Sequence, residues 1–402
     1  MKSKSNRPLI AFSLSAILLI AACGGSSGSS TTAESGASTT AAPGASTTVA
    51  PGEGLSPEIE AAAAEAEANG LLFFTSHDDL VAQATEGGTI RAQTSLETWP
   101  ELEEAWSAVY PDIDIAIDHI PGPDERERFL LEVASGSVTD QDVAYVGLEQ
   151  FAQYVELLLP VDILGMAETG ILDLDPRAID PVNRNIVATG SGVGGIGYNP
   201  DLLPAEDVPD SWDDLLTDTF SAENHRLLVD IRPANVAPLV PVWGLDETIE
   251  YTTSLAAQDP IWVRGSTGPL SRVAAGEFSL MVFNNYDSAV NVGSESGGKV
   301  VPLLVEPVPV RVVDAFGVMG EDYSNNPAAG ILFLEFMMSD AAQAILDINL
   351  ESSLFSPNSE IAKLLEGMEL SILGWEDGHI HNASDYLAAI VESYGFPVAE
   401  IE

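Results

Sequence analysis

Apolar and polar residues alternate along this chain with two periods, and the switches between them mark its elements. Ser56-Pro57-Glu58 opens a helix with proline in its first turn, Gly70 closes it, and the Ala-rich acidic stretch 58–69 reads as a surface helix. After Gly87-Gly88, residues 89–94 form a short strand pattern. Thr98 stands as an N-cap with Glu101 three residues on, a capping box. Leu102, Ala105, Trp106 and Val109 then share one helical face until Pro111. Ile113, Ile115 and Ile117 alternate as a strand, 124–135 is an amphipathic helix, and 142–146 is another strand. Further strands are predicted at 226–230, 279–283 and 299–305, with helices at 234–242, 269–275 and 287–292. Two consecutive helices follow at 327–338 and 340–350, and a last one at 385–394. Strands separated by helices of this size predict a parallel α/β sheet rather than a sandwich.

The first sixty residues follow neither period. Lys2, Lys4 and Arg7 precede an apolar run from Leu9 to Ala22, broken only by Ser13 and Ser15. This is the layout of a secretion signal, too short for a comfortable membrane span. The run ends Leu19-Ile20-Ala21-Ala22-Cys23, which resembles the bacterial lipobox, in which the cysteine is lipidated and becomes the first mature residue. An ordinary cleaved signal with a stray cysteine is the competing reading. From Gly24 to Pro57 the chain is almost wholly Gly, Ser, Thr, Ala and Pro, with Glu34 and Glu53 the only charges and a tandem octad at 36–51. Such a stretch buries too little apolar area to offset its ordering entropy and is expected to be a flexible tether.

Charge and composition narrow the possibilities. The 402 residues include 15 Lys and Arg against 62 Asp and Glu, a formal net charge of −47. Loss of residues 1–22 removes three basic residues and no acidic one, leaving 12 basic residues and a charge of −50. A chain so acidic does not grip nucleic-acid phosphates or anionic lipid heads. With 46% apolar residues it builds a real core, and its length fits two lobes. A single Cys excludes an intramolecular disulfide framework and a thiolate zinc cluster.

Few motifs carry chemistry. Gly192-Val-Gly-Gly-Ile-Gly197 has the spacing of a dinucleotide fingerprint, which works only where a strand ends and a helix begins. Pro200 disfavours helix at Asn199, so these glycines are expected to let a strand pass through a close-packed crossover. His379 and His381 on a strand would face one way and chelate a metal, but Gly378 and Asn382 point to a polar loop. Asp213-Asp214 and Glu103-Glu104 read as solvated helix faces. No nucleophile elbow, Walker loop or His-Glu-x-x-His occurs, so no enzyme activity is expected. A secreted α/β hydrolase with an unrecognised acid pair remains the competing class.

From about Gly88 to Pro357 the order of motifs resembles an extracellular solute-binding protein of a bacterial ABC importer, in the ferric-iron-binding-like branch of the type 2 periplasmic binding proteins. The resemblance rests on Trp99-Pro-Glu-Leu-Glu-Glu-Ala-Trp-Ser-Ala-Val-Tyr-Pro111 and on Gly197-Tyr-Asn-Pro-Asp-Leu-Leu203 followed by Pro209-Asp-Ser-Trp-Asp-Asp-Leu-Leu216. Val273-Ala-Ala-Gly-Glu-Phe278 and the stretch from Asn326 to Asp340 continue it. It implies a two-lobed α/β fold, each lobe a mainly parallel sheet flanked by helices, closing on a ligand by hinge motion. The expected divisions are a signal peptide at 1–22, the lipidated Cys and linker at 23–57, lobe 1 from 58 to 190, lobe 2 from 191 to 307, and a return to lobe 1 with C-terminal helices from 308 to 402.

Ligands of open α/β sheets bind beyond the C-terminal ends of strands, which places the expected site on strand-end loops. The candidates are Ser95, Glu97 and Trp99 after the first strand, residues 147–149 after another, and Ser191 near the crossover. Arg232 and Asn235, Arg264 and Ser266, and Tyr286 and Asp287 complete the set. Iron-binding members carry two adjacent tyrosines where this chain has Asn284-Asn285-Tyr286-Asp287, so the second is replaced by Asp. That departure favours a small organic solute over free ferric ion, for which Tyr286, Asp287 and Glu97 are the alternative ligands. An organic anion would use Arg232 and Arg264, and a polyamine would use Glu97, Asp287, Trp99 and Tyr286. No cofactor and no nucleic acid is expected. The implied partners are ABC permease subunits and, through the lipid anchor, the outer face of the cell membrane. A monomer is expected.

Overall fold

The computed structural model of the chain describes residues 55–120, 122–147 and 150–396. The signal segment, Cys23 and the tether lie outside the described residues, as do Leu148 and Glu149 of the candidate loop after the third strand.

Ten strands are present among the described residues: β1 (Thr89–Thr94), β2 (Asp114–His119), β3 (Val143–Val146), β4 (Ile186–Tyr198), β5 (Leu228–Asp230), β6 (Ile261–Val263), β7 (Leu280–Asn285), β8 (Val301–Leu303), β9 (Val308–Val318) and β10 (Leu370–Leu373). They hydrogen-bond in the order β2-β1-β3-β9-β4-β7-β5-β6, with β10 on β9 and β8 on β4. The outer strands of each lobe are parallel, as expected: β1 with β2 and β3, and β5 with β6 and β7. The two long strands that join the lobes run against them. β9 is antiparallel to β3 and β4, and β4 is antiparallel to β7. Residues 186–193 of β4 pair with β9, and residues 194–198 continue beside β7 and β8. A single strand thus belongs to both lobes and carries the chain across the gap between them.

Each lobe has its own core. In the first, Trp106 is fully buried, donates its indole N–H to the Ile113 carbonyl at 2.9 Å, and meets Phe336 edge-on at 5.4 Å. Helix Pro327–Met338 runs through this core with ten of its twelve residues buried. Apart from Glu335, which bonds to His77 and the Asp173 amide, it is apolar all round, as a helix enclosed on nearly every side is. Among the described residues no single helix is long and apolar enough to cross a membrane. In the second core Trp212 stacks on Phe283 with centroids 4.6 Å apart, and Tyr251 from helix Leu245–Ala257 meets Phe283 edge-on. The described part of the segment expected to return to lobe 1 divides between the two: helix Pro327–Met338 lies in the first core, whereas helix Ala383–Ser393 packs against Leu245–Ala257 in the second.

Local expectations met mixed outcomes. Ser56 caps helix Pro57–Ala68, its side chain accepting from the Ile59 amide. The Thr98 capping box does not form: Thr98 sits at φ −84°, ψ 15°, too helical to aim its hydroxyl at the next turn, and that hydroxyl is buried without a hydrogen bond. Helix His77–Gly87, capped by Ser76, escapes the periodicity because only Leu80 and Ala84 of its residues are buried. The helix expected at 234–242 is broken by Pro233, Pro238 and Pro241 into turns at Pro233–Asn235 and Ala237–Leu239 and a four-residue helix, Val240–Trp243. His379 and His381 lie in a turn and face different partners, Tyr386 at 3.1 Å and Asp180 at 3.4 Å, so they do not converge on a common point.

Candidate functional site

The site is built on the crossover of β4 and β9. The glycine motif lies inside β4, and no helix follows Gly197, so the close-packing expectation holds. A Cβ at Gly192 would come within 2.8 Å of the Arg311 guanidinium carbon, and one at Gly190 within 2.6 Å of the Asp314 carboxylate and 2.7 Å of the Glu351 carbonyl. Gly190 and Gly192 are two apart on one strand and share a face. Arg311 and Asp314 therefore lie over the same face of β4 although they are three apart on β9. A regular strand would send them to opposite sides. Asp314 has φ +52°, and this local reversal brings its carboxylate round to join Arg311.

Around this pair a cavity of about 200 Å³ opens, bounded by both lobes. Its polar lining is Arg126, Tyr145, Arg311 and Asp314, and Ala234 enters from lobe 2. Leu373, Ile380, Ala383 and Leu387 of the C-terminal segment close the apolar side. Tyr145 at the end of β3 donates its hydroxyl hydrogen to Asp314 Oδ1 at 3.1 Å. The Arg126 guanidinium sits 5.4 Å from the centre of the Tyr145 ring.

Arg311 is poorly partnered. Its Nη2 donates to Asn285 Oδ1 across a long 3.4 Å, and its Nε is buried without any hydrogen-bond acceptor. Burial disfavours its charged form and lowers its pKa, against the pull of Asp287 and Asp314. The same burial raises the carboxyls around it: Asp287 is shifted up, Asp314 is pushed up to about 6, and Glu351 to about 7. The site thus holds an arginine with spare donors beside carboxyl groups that resist ionisation.

These shifts make a pH prediction. Asp314 keeps its proton to higher pH in the fold than in the unfolded chain, where it titrates near 3.8. Its ionised form therefore destabilises the fold above pH 6, and acidification relieves this, completely only below the unfolded value. Between pH 8 and pH 5 the gain from this group alone is roughly 1–2 kcal/mol. Asp314→Asn is expected to melt higher than the parent at pH 8 and to show a flatter dependence of Tm on pH. Parallel Tm–pH curves for the two proteins would show that Asp314 does not contribute.

The expected site residues distribute unevenly about this centre. Asn235 donates to the Phe283 carbonyl at 3.1 Å and to Asn285 Oδ1 at 2.8 Å, and Ser266 Oγ accepts the Asn285 amide at 2.9 Å. Asn285 is thereby fixed beneath Arg311. Tyr286 and Asp287 open helix Tyr286–Glu295; the Tyr286 ring lies against Gly195, and Asp287 faces Arg311 electrostatically. Arg232 is bound to Asp230 by two guanidinium hydrogen bonds of 2.8 and 3.2 Å and adds its positive charge to the field at Arg311. Ser95 is half-buried just after β1 and does not line the cavity. Ser191 is buried, with its hydroxyl accepting the Leu354 amide, and so supports the strand rather than lining the cavity. Glu97 is exposed beside His119 at 3.8 Å, Trp99 is half-buried at the start of helix Trp99–Val109, and Arg264 is exposed. None of the expected residues named in this paragraph lines the cavity; of the expected strand-end loops, Gly147 does.

Arg311, Asp314, Tyr145, Arg126 and Glu351 escape a reading by strand ends. The available signal is the interruption of the valine-rich run 308–318 by one arginine and one aspartate. Charges inside an otherwise buried strand are expensive and call for a reason. Among the described residues no three His, Cys, Asp or Glu side chains are grouped to hold a metal ion.

Residues 92–222 match the model of the family described as bacterial extracellular solute-binding protein. No curated protein matches the chain by sequence. Among solved structures, iron-bound HitA from Pseudomonas aeruginosa is similar at TM-score 0.52 and 18% identity, covering 76% of this chain and 99% of its own. The ferric binding protein from Campylobacter jejuni aligns at TM-score 0.57 and 16% identity over 76% of this chain and 98% of that one. FutA from Trichodesmium, solved with iron and citrate ligands, aligns at TM-score 0.60 and 16% identity over 76% and 99%. At such identities the likeness concerns the fold. Residues 92–222 are therefore similar to the bacterial extracellular solute-binding family, and the chain as a whole shares the fold of these solved structures.

Proposed function

We propose that this protein is the membrane-anchored receptor of an ABC importer, capturing a small organic anion between its lobes and passing it to the permease without chemistry. The observation that carries the choice of solute is Arg311, which holds a guanidinium in the interlobe cavity with one long hydrogen bond and a buried, unsatisfied Nε. A carboxylate or phosphonate bound bidentately supplies the missing acceptors and offsets the desolvated charge. Citrate among the ligands of the Trichodesmium protein supports the pairing of an organic anion with this fold. Iron itself is the second reading, favoured by the ferric-binding neighbours. Against it stands Asp287 in place of a second tyrosine, half-buried with its carboxyl pKa raised.

A thermal-shift screen of small carboxylates and phosphonates, polyamines and Fe(III) tests this. A carboxylate or phosphonate at a hundred times its Kd is expected to stabilise the fold by about 2.7 kcal/mol, and to be recovered unchanged. Stabilisation by polyamines alone or by Fe(III) alone would reject the anion, and consumption of the ligand would restore the hydrolase alternative.

The lipobox accounts for the address. Cys23→Ser is expected to abolish fatty-acid labelling and to release the protein from the membrane fraction. Undiminished labelling would reject the anchor. A mature chain with several acyl groups at Cys23 is held durably, whereas one chain binds only weakly. The tether behind it gives the lobes reach to the permease.

A further inference from the structure

We infer that the solute is a zwitterion, its anionic end on Arg311 and its ammonium on Asp314. The inference rests on the anion-receptor reading and refines it. Two charges of opposite sign point into one small cavity from the same strand, yet no salt bridge joins them: the hydrogen bond of Arg311 goes to Asn285, and that of Asp314 comes from Tyr145. Had the pair served only to support the fold, direct contact would satisfy both groups at the least cost. Instead each is held apart by a neutral neighbour, and each keeps capacity for another partner. Among the described residues Tyr145 is the only hydrogen-bond donor to the Asp314 carboxylate, which leaves Oδ2 for a ligand N–H.

The surroundings fit such a molecule. Gly190 and Gly192 leave the room in which the Arg311 guanidinium and the Asp314 carboxylate lie side by side over β4, and both groups border the same cavity. The positive φ of Asp314 is the backbone cost that puts its carboxylate on this face, and strain of this kind persists at binding sites. The rest of the lining includes the apolar Leu373, Ile380 and Leu387, which suit the methylenes between two charged ends. The volume of about 200 Å³ lies below the range of drug-sized pockets and admits a compact molecule. A second carboxylate on the ligand would meet Asp314 with like charge, and a simple polyamine would meet Arg311 and Arg126.

The experiment is calorimetry on the full chain with glycine, β-alanine and γ-aminobutyrate, which set the two charges at increasing separation. Each is compared with its N-acetyl derivative, which keeps only the anion, and its amide, which keeps only the cation. At least one of the three acids is expected to bind ten times more tightly than both of its derivatives. Asp314→Asn is expected to bring that acid and its N-acetyl derivative within threefold of each other. Asparagine tolerates the left-handed backbone at this position. If N-acetyl derivatives bind as well as the parent acids at every length, the zwitterion is overturned while the anion reading stands. The zwitterion is overturned in the same way if plain carboxylates from the wider screen bind and none of these nine compounds does. If no carboxylate of either kind binds, both readings fall together.

Discussion

Arg311→Ala is expected to weaken solute binding at least a hundredfold, about 2.8 kcal/mol, while leaving the melting temperature of the free protein unchanged or raised. The two halves of this expectation share one cause. A buried guanidinium with an unsatisfied Nε costs desolvation energy that the fold does not recover until a ligand anion arrives. Truncation removes both the cost and the anchor. Most structural arginines behave in the opposite way: Arg184, bound to Asp162 by hydrogen bonds of 2.8 and 3.0 Å, is expected to destabilise the fold on truncation. Arg311→Lys keeps the charge but not the fork and should recover only part of the affinity. Calorimetric titration and thermal melting of the same preparations check both halves. A variant that loses stability as well as binding would mark Arg311 as a support of the crossover rather than an anchor for the solute.

Trp212→Ala is expected to cost about 3–5 kcal/mol of stability, the range for removing a large aromatic from a packed core. It is also expected to disturb the site from a distance. Trp212 is 2% exposed, stacks on Phe283, and donates its indole N–H to the Pro307 carbonyl just before β9. Phe283 has φ +53°, an unusual backbone state for a bulky residue, and it lies in β7 immediately before Asn284 and Asn285, where the pairing with β4 shifts register. The stacked indole holds that irregularity, which presents Asn285 to Arg311. Chemical denaturation measures the first effect. The second appears as weaker binding at temperatures where the variant is still folded, and Trp212→Phe should restore most of it. Full affinity in folded Trp212→Ala would separate the core from the site.

The fold is legible because its signals are short-range. The helix over Leu102, Ala105, Trp106 and Val109 and the strand over Ile115 and Ile117 follow from periodicity alone. The glycine run from Gly192 to Gly197 reads as a close crossing for the right physical reason: Pro200 denies it a helix. The centre of the site is not legible for an equally physical reason. Arg311 and Asp314 act together only because β9 reverses locally at Asp314 and because Gly190 and Gly192, more than a hundred residues earlier, leave room for both. Neither condition shows in the spacing of the residues themselves. Strand-end reasoning points to Asn235, Ser266, Tyr286 and Asp287 at ends of lobe 2 strands, and to Trp99 and Arg264, none of which lines the cavity. It does not find groups in the middle of a joining strand.

That joining strand has a consequence for how relatives of this protein can diverge. The glycines that leave room for Arg311 and Asp314 belong to the spine that connects the lobes, so a side chain added at Gly190 or Gly192 displaces those groups and disturbs the spine in a single step. New specificities are therefore easier to reach at Ile380 and Leu387, which line the cavity from outside the sheet. A library aimed at retuning this receptor belongs there.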